Sequence, residues 1–121
     1  MKIHGREVGL LKSVGAVCEL TEMCPERKLN NITMLVEGDE IEVAHNVVKI
    51  VCILSRAYEE NKRFEDHDYK PNPLTEEECM LIDDADMTKL YGEALGTIYA
   101  VNRTVEVEEP KKKEEINETS D

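Results

Sequence analysis

The sequence predicts a mostly α-helical protein with a short N-terminal β-hairpin, an α+β fold made of a small helical domain and a disordered acidic C-terminal tail. Three observations lead there. Asp39 to Asn61 carries apolar residues at helical spacing along two stripes. Aromatic residues are 4 % of the chain, with no Trp and one Phe, so the core is aliphatic, as helix-on-helix packing favours. From Thr104 onward the composition turns acidic, with seven acids against three lysines and only Val105, Val107 and Ile116 as aliphatics. At 121 residues the chain reads as one domain plus a tail, divided as 1–103 and 104–121.

The elements follow in order. Ile3 and Val8 flank a glycine-containing turn and predict two short hairpin strands. Ser13 is the expected N-cap of a helix from Val14 to Met23, with Val14, Val17, Cys18 and Met23 near one face, and Pro25 ends it. Leu29 to Val36 reads as a short helix stopped by Gly38. Asp39 then caps the long helix. Its first stripe is Ile41, Ala44, Val48, Val51 and Tyr58; its second is Val43, Val47, Ile50, Leu54 and Ala57. At ~100° per residue the two cover roughly half the circumference, so this helix needs two neighbours.

Past Asn61 the charge density dissolves the helix, and Pro71 and Pro73 hold the following loop open. Thr75 and Glu78 form a capping box for a helix from Glu76 to Ile82. Asp83, Asp84 and Asp86 start the last helix, which runs to about Val101. Its apolar face is Met87, Leu90, Tyr91, Ala94, Leu95, Ile98 and Val101. Gly92, Gly96 and Ala100 make a second line of small residues. Each helical glycine costs about 1 kcal/mol relative to alanine, so the line suggests close approach of another helix, in the same chain or in another copy.

Composition also excludes function classes. A net charge of −12 repels phosphate backbones and anionic membranes, so neither a nucleic acid nor a membrane is an expected partner. Apolar runs fall short of the ~20 residues that span a bilayer. Met1 to Leu11 lacks the apolar core of a signal peptide, and the expected compartment is the cytosol. Cys18, Cys24, Cys52 and Cys79 form no Cys-x-x-Cys pair and read as small buried hydrophobes in the reduced state. No metal or cofactor is expected. The acids at Glu76 to Glu78 and at Asp83, Asp84 and Asp86 lack the loop of a calcium site. Cys52 and His45 are two helical turns apart, too far to act as nucleophile and base, so no enzyme is expected.

The order of parts resembles a known family. An Ile-x-Gly-Arg-Glu-Val-Gly-Leu hairpin leads to a helix closing at Cys24-Pro25. The long aliphatic helix ends Ser55-Arg56-Ala57-Tyr58-Glu59-Glu60-Asn61, then Pro73-Leu74-Thr75-Glu76-Glu77-Glu78 leads to the last helix and acidic tail. Over about residues 1–105 this is similar to the tail assembly chaperones of long-tailed (siphovirus-like) bacteriophages or prophages of Gram-positive bacteria. The resemblance implies a small, self-associating, non-enzymatic protein of the host bacterial cytoplasm, absent from the mature virion. It implies binding to the tape measure protein and recruitment of tail tube protein subunits. It also implies a frameshifted longer product, for which the lysine run Lys111 to Lys113 is a candidate position.

The expected partner surface is the second stripe, Val43, Val47, Ile50 and Leu54, unless it packs inside the monomer. Gly92, Gly96 and Ala100 are the expected helix-packing or self-association line. A structural virion component, such as a head–tail connector or tail completion protein, is the alternative function. A redox or metal-sensing regulator using the cysteines is a third.

Overall fold

The computed structural model describes residues 1–107, with side chains described for 1–100. Strands β1 (Lys2–Ile3) and β2 (Arg6–Glu7) pair antiparallel, with Ile3 opposite Arg6. His4 and Gly5 both take positive φ, 50° and 82°, the pattern of a two-residue hairpin turn whose twist matches the strands. Four helices follow: α1 (Val14–Met23), α2 (Glu40–Glu65), α3 (Glu76–Cys79) and α4 (Asp84–Val107). The mostly helical fold with its small hairpin is as the sequence predicts.

Helix α1 has the expected bounds, and Ser13 Oγ accepts from the Ala16 amide at 3.1 Å. Its buried face differs from expectation. Ala16 and Leu20 face the core, while Val14 is 83 % exposed and Cys18 is also exposed. Leu20 offers more apolar area than Val14, and its i−4 partner Ala16 lets α2 approach closely.

Leu29–Val36 is a 3-10 helix rather than an α-helix, preceded by a 3-10 turn at Pro25–Arg27. Asn30, Asn31, Ile32 and Thr33 are weak helix formers, because asparagine competes for backbone groups and branched side chains lose freedom. Side-chain amides take up carbonyls here. Asn31 Nδ2 donates to Pro25 O and Asn46 Nδ2 donates to Leu35 O, each at 2.8 Å.

Helix α2 begins as expected, with Asp39 Oδ2 accepting from the Glu42 amide at 3.1 Å. It continues past Asn61 to Glu65. The charged end pairs with itself rather than melting: Arg63 Nη2 donates to Glu60 at 2.8 Å, and Lys62 Nζ sits 5.5 Å from the ring centroids of both Tyr58 and Tyr69. Helix α3 is shorter than expected because its last bonds tighten to i+3 spacing, Leu81 N to Glu78 O and Ile82 N to Cys79 O. Helix α4 outlasts the expected end at Val101 and reaches Val107. Residues 104–107 of the expected tail therefore belong to this helix, and 108–121, with Lys111 to Lys113, lie outside the described residues.

The core gathers around α2. Leu20, Ile32, Ile50, Leu54, Leu90, Ile98 and Val51 are its largest fully buried side chains. Each such burial stabilises by about 1.5–3 kcal/mol. The face of α4 is as predicted at Leu90, Ala94 and Ile98, spaced by four. The N-terminal segment closes against α2 through the Leu11 amide, which donates to Leu54 O at 3.1 Å. At Gly9 an added Cβ would lie 2.4 Å from the Tyr58 ring, so only glycine permits this approach.

Two buried polar residues of α2 organise the loop before α3. Pro71 and Pro73 have no amide proton to give. Asn72 and Leu74 do, and Asn72 N donates to Glu59 Oε1 at 2.9 Å while Leu74 N donates to Ser55 Oγ at 2.9 Å. Tyr69 Oη also donates to Glu59 Oε1, at 2.5 Å. Ser55 and Glu59 lie one turn apart, matching the two-residue step of the extended loop.

The hairpin is tied down by a charge clamp. Arg6 Nη2 donates to Glu78 Oε1 at 2.9 Å and Arg6 Nη1 to Asn72 O at 2.6 Å, while His4 Nδ1 lies 3.2 Å from Glu78 Oε2. Thr75 Oγ1 caps α3 by accepting from the Glu78 amide at 3.0 Å, but the Glu78 side chain is committed to the hairpin rather than to a reciprocal box. The Arg6 hydrogen bond holds the Glu78 carboxyl below its ordinary value of 4.5, with His4 adding to the effect. A depressed folded-state value means that this contribution is present above 4.5 and is lost as pH falls through the folded value. Thermal melts from pH 6 to pH 3 should therefore show a steeper acid loss in the wild type than in Glu78→Gln. Parallel curves would mean that the clamp contributes nothing.

Candidate functional site

The N-terminal half of α2, the first turns of α4, and α3 with the turn after it line one surface depression. The result is an open groove of about 560 Å³. Val43, Ala44, Val47 and Val48 form one wall. Met87, Thr88 and Tyr91 form the other, with Cys79, Met80 and Ile82 at the α3 end and Val36 and Gly38 at the opposite one. Glu40 and Asp84 stand at the mouth. Both are helix-start acids, placed there because a helix N-terminus favours negative charge. The groove is therefore apolar along its walls and acidic at its rim.

Large apolar side chains continue beyond it. Ile41 is 69 % exposed and Leu81 74 %. Inside, Tyr91 Oη is buried without a hydrogen-bond partner among the described residues, and burial is the main reason its pKa is raised above the ordinary tyrosine value. A buried hydroxyl without a partner is costly, and an occupant of the groove offering an acceptor or donor would relieve that cost.

The structure divides the expected partner stripe in two. Val43 and Val47 are half-buried and line the groove. Ile50 and Leu54 are 0 % exposed and belong to the core, so they are not part of any surface of the folded chain. The reason is geometric: α1, the 3-10 segment and α4 pack on α2, which is buried along its middle and open toward both ends. The first stripe divides likewise, with Ile41 exposed and Val51 buried.

The two glycines of the small-residue line on α4 do not pack within the chain. Gly92 and Gly96 are exposed, and a Cβ at either would meet nothing within 4 Å. The expected intrachain helix contact at Gly92, Gly96 and Ala100 is thus not made by either glycine. Met87, Leu90, Tyr91 and Ala94, on the other side of the helix, make the packing.

A second, shallower depression of about 370 Å³ lies between α1 and α2. Glu19, Glu22, Lys49 and Arg56 ring it, and Cys52 and Ile53 lie at its floor. Arg56 pairs with Glu19 across it. His45 is exposed and Cys52 buried on the helix they share, so they form no catalytic pair. Among the described residues no group of three or more His, Cys, Asp or Glu side chains is placed to hold a metal ion. Among the same residues no helix is long and apolar enough to cross a membrane.

The groove was only half legible in the sequence. Val43 and Val47 carried the helical period that marked them, whereas its other wall is the flank of an ordinary core face on α4. Comparison with protein-family models, with curated proteins and with solved structures finds no match.

Proposed function

We propose that this protein is a non-enzymatic tail assembly chaperone of a long-tailed phage or prophage, and that its groove holds an apolar helical stretch of the tape measure protein. The observation that carries the reading is the groove itself, with apolar walls from Val43, Val47, Met87 and Tyr91 and an acidic rim from Glu40 and Asp84. An amphipathic helix lays its apolar face into such a channel and its flanking lysines or arginines against such a rim. The net charge of −12 keeps the chaperone soluble while it covers an aggregation-prone client. The order of sequence elements supplies the identity of that client. In this reading the protein works in the host bacterial cytoplasm, self-associates, helps recruit tail tube subunits and is absent from the finished virion.

Co-expression with the neighbouring tape measure protein, followed by pull-down and a solubility assay, tests it. The wild type should yield a soluble complex. Val47→Asp places a charge on the groove wall and should weaken the complex by roughly thirtyfold or more while leaving the helical circular dichroism intact. Failure of the wild type to bind, together with presence of the protein in purified particles, would favour a structural virion component such as a head–tail connector or tail completion protein.

A further inference from the structure

We infer that Cys52 and Cys79 form a thiol–disulfide site, in which a hydroperoxide oxidises Cys52 and Cys79 resolves the product into an intramolecular disulfide. The two sulfurs, 27 positions apart in sequence, lie 3.6 Å from each other where α3 rests on α2. Closing to a bond of about 2.05 Å needs a movement of roughly 1.5 Å. Helix α3 has four residues against 26 in α2, so it is the element that makes that small adjustment.

The pair is buried but not sealed. Cys52 lies at the floor of the depression between α1 and α2, with Lys49 and Arg56 at its rim. Cys79 lies behind it, on the wall of the groove on the opposite side. The thiolate is the reactive form of cysteine. Either thiol can donate to the other across this contact, and Cys52 is 9 % exposed against 3 % for Cys79. The more accessible sulfur, which lines the depression, meets the oxidant first: Cys52 attacks and Cys79 resolves.

The chemistry balances in two steps. The Cys52 thiolate attacks the distal oxygen of hydrogen peroxide, the O–O bond breaks, and a proton taken up from solvent completes the departing water, leaving Cys52 as the sulfenic acid. The Cys79 sulfur then attacks the Cys52 sulfur and releases the sulfenic oxygen as a second water, formed with the Cys79 proton. Peroxide is reduced by two electrons and two thiols are oxidised. A small dithiol reverses the change by exchange.

The remaining cysteines serve as internal references. Cys24 is buried, donates to Leu20 O at 3.1 Å and has its pKa raised by burial. Cys18 is exposed on α1. A disulfide at the proposed site staples α3 to α2 and fixes the groove wall that Cys79 shares with Met80 and Ile82. The proposal is independent of what occupies the groove.

The test uses the reduced full-length chain treated with hydrogen peroxide, then alkylated under denaturing conditions and mapped by mass spectrometry. A Cys18→Ser chain runs beside it to remove intermolecular bonds. The expected product is a Cys52–Cys79-linked peptide with Cys24 still alkylated, reversible by dithiothreitol. The melting temperature of the oxidised chain should rise by about 5 °C or more. In urea the same linkage should form at no more than about a tenth of the native rate, because the sulfurs are no longer held together. Oxidation confined to Cys18, with Cys52 and Cys79 both alkylated, would overturn the proposal. So would equal rates of Cys52–Cys79 linkage in urea and in buffer.

Discussion

Leu54→Ala should lower the stability of the fold by about 3–5 kcal/mol, read as a shift in the urea midpoint by circular dichroism. Leu54 is 0 % exposed and lies on the stretch of α2 where both stripes are covered. Truncation removes the transfer free energy of the side chain and leaves a cavity lined by an aliphatic core that is already close-packed. A domain of this size has about 5–15 kcal/mol in total, so the loss is a large share of it. Leu54→Asp adds an unpaired carboxylate in the same place and should leave the chain unfolded at 25 °C. A loss below about 1 kcal/mol for the alanine variant would mean that this part of α2 is not the centre of the core.

Glu59→Ala should cost about 2 kcal/mol, although the residue makes no ion pair among the described residues. One carboxylate oxygen takes both the Tyr69 hydroxyl and the Asn72 amide, and the side chain is 5 % exposed. Without it the loop amide between the two prolines has no acceptor within the fold. Glu59→Gln keeps an oxygen at the same place and should lose clearly less. The Glu59 hydrogen bond raises the Tyr69 pKa above its ordinary value. Spectrophotometric titration of the alanine variant should therefore show the Tyr69 value returning toward the ordinary one. An unchanged titration would mean that Tyr69 does not depend on Glu59.

The caps and periods were legible because they are local. Ser13, Asp39 and Thr75 each accept from the amide three residues on, as expected of those residue types at those places. Leu90, Ala94 and Ile98 followed from spacing alone. The bounds of α2 did not, because the polar end after Asn61 is sustained by Arg63, Glu60 and Lys62, pairs that a count of apolar residues passes over. The 3-10 form of Leu29–Val36 depends on amide donors from Asn31 and Asn46, one of them on another helix.

What escaped the sequence was partnership across distance. Period alone could not say that Val47 lines a groove while Leu54, seven residues on, is core, since that depends on where α3 and α4 end up. The meeting of Cys52 with Cys79 depends on the path of the proline loop, which Ser55 and Glu59 set from inside α2. A serine and a glutamate one turn apart on the buried side of α2 are its local signal.

Helix α2 also imposes an order of events on synthesis. Helix α1, the 3-10 segment, α3 and α4 all pack on it. The first 39 residues emerge before any of it exists. At about 5–20 residues per second its 26 residues take roughly one to five seconds to appear, and for that interval the nascent chain holds Leu20 and Ile32 without the helix that completes their burial. The hairpin waits longer still, since Glu78, which anchors Arg6, is made only after the helix that both of them flank.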